Sequence, residues 1–111
     1  MNEDDAKSGG SILVVDDDRN IRTLFRHSLT KAGFTVVEAE DYKEAYPLLE
    51  NAEQFDVILL DVMLPEVSGI DILQHIQGLP ESPPVVMVTA SGVVQDAVTA
   101  LKLGAFDYLI K

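Results

Sequence analysis

The chain has 111 residues, 19 of them acidic and 8 basic, giving a formal net charge of −11. Its length is that of one domain, its 47% hydrophobic content argues against disorder, and its acidity argues against non-specific binding to nucleic acid or anionic membranes. With no cysteine there is no disulfide framework, thiolate metal site or cysteine nucleophile, and a reducing compartment is permitted.

Residues 1–10 (MNEDDAKSGG) are polar and acidic, which fits a flexible leader and not a signal peptide. No apolar run approaches the ~20 residues of a membrane span. Ile12 to Val15 is a short continuous apolar run, the pattern of a strand buried on both faces. Ile21, Leu24, Phe25, Ser28 and Leu29 then recur at helical spacing, with Gly33 placed for a left-handed cap. Thr35 to Val37 is β-branched and predicts the second strand. Asp41 and Glu44 form a capping pair that opens a second helix, whose apolar face is Ala45, Leu48 and Leu49. Pro47 lacks the N–H that would reach back to Lys43, so this helix should be kinked or short.

Val57 to Leu60 predicts the third strand, and Pro65 and Gly69 punctuate the loop after it. Ile72, Leu73 and Ile76 mark a third helix ending near Gly78, followed by a stiff connector with Pro80, Pro83 and Pro84. Val85 to Val88 is the fourth strand. Val94, Ala97, Val98 and Leu101 give a fourth helix closed by Gly104, and Tyr108 to Ile110 is the fifth strand. Strict alternation of strand and helix predicts an α/β fold with parallel strands joined by helical crossovers.

In an open parallel sheet, ligands bind beyond the carboxyl ends of the strands. The residues at those ends are therefore informative. Asp16, Asp17 and Asp18 come after the first strand, Asp61 ends the third, Thr89 the fourth and Lys111 the fifth. Each has a structural alternative. An Asp after a strand commonly caps a turn or helix, Thr89 suits a strand end, and Lys111 suits a snorkelling surface lysine. Their joint occurrence at strand ends favours chemistry. Converging carboxylates repel and take up protons unless a cation sits among them. Oxygen ligands favour Mg²⁺ or Ca²⁺ over Zn²⁺. Lysine adds charge and threonine a hydrogen-bond donor, a set suited to phosphoryl transfer, and a carboxylate can itself be the nucleophile.

The segments ILVVDDDRNIR, DVILLDVMLPEVSGIDIL, PVVMVTAS and LGAFDYLIK, in this order, resemble the receiver domains of bacterial response regulators. The stretch AVTALKLGAFDYLIK is similar to receivers of enhancer-binding transcriptional activators of the nitrogen-regulation (NtrC) type. The resemblance implies a flavodoxin-like five-stranded parallel sheet in order 2-1-3-4-5, with helices on both faces. It implies Asp61 as phosphoacceptor for a phosphoryl group from a histidine kinase or histidine phosphotransfer protein. Asp16, Asp17, Asp61 and the backbone carbonyl of Met63 would hold Mg²⁺, and Thr89 and Lys111 would contact the phosphoryl group. Thr89 and Tyr108 would form the switch, with the loop from Ala90 to Val94 reordering. Asp18 would be a loop or cap residue, and Ala90 is small, as the family requires beside the site.

Such a domain is cytoplasmic. It modifies itself once per transfer rather than acting as a turnover enzyme, and controls an output such as transcription. It needs no direct contact with nucleic acid or membrane. Family members continue past this lysine with a proline and a fifth helix. Residues 11–111 are therefore expected to be a C-terminally truncated receiver lacking that helix. The exposed face would invite a homodimer, as would the side formed by the fourth helix and fifth strand.

Two other readings compete. An aspartyl-phosphate phosphatase or phosphotransferase commonly carries a second Asp two residues after the nucleophile, and here that residue is Met63. A pseudo-receiver would have lost part of the set Asp16, Asp17, Asp61, Thr89 and Lys111, which is intact. His27 and His75 lack partners at ligand spacing and read as surface or satisfied core residues.

Overall fold

The computed structural model describes residues 9–90 and 94–111. Residues 1–8 of the expected leader, and residues 91–93 of the expected switch loop, lie outside the described residues. Five strands, β1 (Ser11–Val15), β2 (Thr35–Ala39), β3 (Val57–Asp61), β4 (Val85–Thr89) and β5 (Asp107–Ile110), pair in parallel in the order β2-β1-β3-β4-β5. Leu13 lies opposite Val37 on one side and Ile58 on the other, and Met87 lies between Leu60 and Tyr108. Four α-helices alternate with the strands among the described residues: α1 (Arg19–Lys31), α2 (Tyr42–Leu49), α3 (Gly69–Gln77) and α4 (Val94–Lys102).

Local chemistry sets the helix ends. Asp18 caps α1 by accepting from the N–H groups of Asn20 and Ile21. Beyond its last turn, Gly33 takes the left-handed conformation at φ 103° that the sequence predicts. Asp41 caps α2 by accepting from Glu44 N–H, while the Glu44 carboxylate accepts from Glu40 N–H, one residue before the cap. Pro47 lies inside α2, which stops after eight residues. Ser68 caps α3 through Asp71 N–H.

Right-handed crossovers in this strand order send α1 to one face and α2, α3 and α4 to the other. The main core is the second face. Leu13, Val15, Ile58, Leu60, Val85 and Met87 pack there against Ala45 and Leu49 of α2, Ile72, Leu73 and Ile76 of α3, and Ala100 of α4. On the first face Ile12 and Val14 are buried, but no residue of α1 is, and Leu24 is 60% exposed. α4 corrects the sequence reading in detail. Ala100 is buried and Ala97 half-buried, whereas Val98 and Leu101 are exposed, so the helix approaches the sheet through its small residues. No helix among the described residues is long and apolar enough to cross a membrane.

Candidate functional site

Three carboxylates meet where β1 and β3 end side by side. One oxygen from each of Asp16, Asp17 and Asp61 lies within 4.8 Å of the others. Asp16 and Asp61 are buried and Asp17 is exposed. The three consecutive aspartates at 16–18 thus sit in three different settings. Asp16 turns inward and its Oδ1 accepts from Asp18 N–H at 2.9 Å. Asp17 faces solvent at the cluster, and Asp18 caps α1.

Lys111 reaches this cluster from the far side of β4. Its main-chain N–H donates to the Thr89 carbonyl at 2.7 Å, which extends the β4–β5 pairing by one residue. Its ammonium lies 2.7 Å from Asp16 Oδ2 and 3.1 Å from Asp61 Oδ2, with 17% of the side chain exposed. Asp61 Oδ1 accepts from Met63 N–H at 3.1 Å, while the Met63 side chain is exposed. Thr89 is fully buried at the end of β4. Tyr108 is half-buried against the core on β5, and Ala90 is exposed.

The electrostatics reflect this packing. Burial pushes the Asp61 carboxyl above its ordinary value. The Lys111 hydrogen bond and Met63 N–H pull the other way, and the Asp16 charge adds to the rise. Burial alone would lower the Lys111 ammonium, but its hydrogen bonds to Asp16 and Asp61 outweigh burial and leave it raised. The ammonium is therefore held charged between two acids. Each carboxylate oxygen that it or an N–H engages keeps a second lone pair. An all-oxygen cluster with one solvent-facing member fits a divalent cation that retains water.

Two residues matter to the site through contacts that the sequence does not show. Gly69, the first residue of α3, is buried, and a Cβ there would collide with the Asp61 carbonyl oxygen. Its N–H donates to the Val62 carbonyl at 2.8 Å, so a glycine lets α3 start directly against the end of β3. Arg22 of α1 donates to the Asp16 carbonyl at 2.8 Å. Of the histidines, His27 is exposed on α1, and His75 of α3 stacks on Tyr46 of α2 with ring centroids 4.6 Å apart.

Residues 12–111 match the family model described as the response regulator receiver domain. The transcriptional regulatory protein CpxR of Escherichia coli K12 is 44% identical over 100 residues, covering 90% of this chain and 42% of that protein. The response regulator protein PilR of Pseudomonas aeruginosa is 43% identical over 99 residues, covering 89% of this chain and 22% of that protein. The chain thus spans less than half the length of either relative. A Burkholderia pseudomallei response regulator, solved with a phosphorylated aspartic acid, a calcium ion and citrate, superposes with a TM-score of 0.84 at 29% identity. That match covers 92% of this chain and 59% of the other. With the parallel 2-1-3-4-5 sheet and acids at its β1/β3 switch point, these matches make the chain a member of the receiver-domain family of two-component response regulators.

Proposed function

We propose that Asp61 is the phosphoacceptor of a phosphorelay and that Asp16, Asp17 and Asp61, with the backbone carbonyl of Met63, hold Mg²⁺ beside it. The observation that carries the reading is the pairing of Asp61 with two unlike kinds of neighbour. Two further carboxylates lie at cation-sharing distance, and a charged lysine sits on its Oδ2. The donor is a histidine kinase or a histidine phosphotransfer protein. An oxygen of the Asp61 carboxylate attacks phosphorus in line with the phosphorus–nitrogen bond of phosphohistidine. The new oxygen–phosphorus bond forms as the old bond breaks, and the electron pair passes to the imidazole nitrogen. Water attack at phosphorus later frees inorganic phosphate and restores the carboxylate. When bound, Mg²⁺ supplies positive charge that offsets repulsion between the carboxylates and the incoming phosphoryl group.

Lys111 contributes the other positive charge and directs it at the transferred oxygens. The Thr89 hydroxyl closes on the phosphoryl group and Tyr108 moves with it, so that the α4–β5 side changes shape. A phosphoryl group adds about −1.5 to −2 charges, enough to form new charge-assisted hydrogen bonds to Thr89 and Lys111. This reading puts the domain in the cytoplasm, at the head of an output such as transcription. It works without direct contact with nucleic acid. A second copy of the chain is a further partner, through Val98, Leu101, Phe106 and Ile110 on the α4–β5 side.

The test is intact-mass measurement after incubation with a small acyl phosphate donor, with and without Mg²⁺. One added phosphoryl group, formed only with the cation, is expected. Catalytic release of phosphate from small phosphoesters, with no modified protein, would point instead to a turnover phosphatase.

A further inference from the structure

Arg22 stands outside the acidic cluster yet holds its backbone. The Arg22 main-chain N–H donates to the Asp18 carbonyl at 3.0 Å in the first turn of α1. Its Nη1 donates to the carbonyl oxygen of Asp16 at 2.8 Å, and its Nε donates to Glu38 Oε1 at 3.1 Å. Glu38 lies opposite Val14 on β2, and its second oxygen takes the Arg26 guanidinium at 3.2 Å. The Arg22 side chain is only 13% exposed. One planar guanidinium therefore joins α1, the edge strand β2 and the end of β1.

The bond to Asp16 has a geometric consequence. The Asp16 carbonyl belongs to the rigid peptide plane that leads into Asp17. The last ladder pairs of β1 are Val15 with Ala39 and Val15 with Leu60, and Asp16 N–H still donates to the Ala39 carbonyl. Beyond that point the sheet no longer orients the chain, and Arg22 takes the next acceptor. Asp17 is the exposed member of the cluster, with little packing to hold it, so the direction in which its side chain leaves the chain is set by its backbone.

We propose that Arg22, itself fixed by Glu38, is a positioning residue for the acidic pair: it sets the Asp16–Asp17 peptide plane and so aims Asp17 at a divalent cation. The proposal rests on the cation-assisted reading above. Its sign separates it from a simple charge effect. Removing a positive charge near a cation site strengthens cation binding by Coulomb's law alone. Removing a positioning group weakens it. Lysine separates the two again, because it keeps the charge but offers a single nitrogen in place of a fork.

The experiment is Mn²⁺ binding, read by electron paramagnetic resonance, on the wild-type chain and on Asp17→Ala, Arg22→Met, Arg22→Lys and Glu38→Gln. Circular dichroism melts run beside it to establish folding. Arg22→Met should bind about tenfold more weakly, the range seen when the group orienting a metal ligand is removed. Arg22→Lys should recover little of this. Glu38→Gln keeps an oxygen for Nε and should stay near wild type. Equal or tighter binding by Arg22→Met overturns the proposal. If that variant does not fold, wild-type affinity in Arg22→Lys overturns it. A wild-type chain that binds no Mn²⁺, or whose binding ignores Asp17→Ala, overturns the cation reading and the proposal with it. Loss in Asp17→Ala with both Arg22 variants unchanged overturns the proposal alone.

Discussion

On one face of the sheet Leu13, Val15, Ile58, Leu60, Val85 and Met87 lie under α2, α3 and α4, none more than 1% exposed. On the other, Ile12, Val14 and Val88 are buried, but Val57, Leu59 and Val86 are half-buried and Leu109 is 48% exposed. Strand alternation carries the contrast into the site. Asp16, Asp61 and Lys111 share the parity of the open face, whereas Thr89 and Tyr108 share that of the sealed one. The ionic triad thus lies on the α1 side of the sheet, with Asp16 and Asp61 buried, and the expected switch pair lies on the side of the main core. Neighbouring residues of one strand thus serve different faces of the sheet.

The largest effect should come from neighbours on β3. Ile58→Ala empties a fully buried position and should cost about 2–5 kcal/mol, the usual range for such truncations in a core. Leu59→Ala, one residue on and half-buried, should cost about 1 kcal/mol. Urea midpoints at unchanged slope measure both. Equal losses would abolish the distinction between the faces.

Gly69→Ala tests where the faces meet. The added methyl group would drive against the Asp61 carbonyl oxygen, so about 1–3 kcal/mol of stability should be lost to overpacking. Phosphoryl uptake should fall as well, since relief requires the Asp61 backbone to shift. Wild-type stability and uptake together would show that α3 can move away freely.

Asp61→Asn should raise the melting temperature in cation-free buffer at neutral pH. The folded carboxyl titrates above its unfolded value, chiefly because it is buried, so folding disfavours its ionised form. That penalty is present above the folded value, fades as pH falls through it, and is gone below the unfolded value. The advantage of Asn should therefore shrink on acidification. An advantage that grows toward acid pH would reverse the assigned sign. Lys111 works the other way. Its raised value means that its ion pairs stabilise the fold below the unfolded lysine value and are lost as pH rises through the folded one.

The smallest effect is expected at Glu66, a non-glycine residue at φ 68° in the loop between β3 and α3. Glu66→Gly should gain at most about 1 kcal/mol, since relief of the left-handed strain is offset by a more flexible unfolded chain. The exposed pair that Glu66 makes with Lys43 at 3.6 Å contributes little. A clear loss of stability would mean that the loop depends on that pair.

The sequence shows most of the fold because continuous apolar runs mark strands buried on two faces, and an acid directly after such a run stands out. Asp16, Asp61 and Lys111 are readable this way: each ends or comes just after a strand, and strand order alone brings them together. Gly69 and Arg22 are not, since their importance lies in contacts made across the chain. Gly69 matters because α3 starts against Asp61, eight residues earlier, and Arg22 because α1 crosses above both β1 and β2. Periodicity also leaves open which stripe of α4 faces inward. Val98 and Leu101 read as core, yet the close approach of helix to sheet selects Ala97 and Ala100.

Asp61 alone should receive the phosphoryl group. The most direct measurement is borohydride reduction of the chain after treatment with a small acyl phosphate donor and Mg²⁺, then peptide mass mapping. Reduction converts an aspartyl phosphate to homoserine and leaves free carboxylates untouched. Homoserine is expected at position 61 only, and none in Asp61→Asn. Homoserine at Asp16 or Asp17, or stoichiometric phosphorylation persisting in Asp61→Asn, would contradict it.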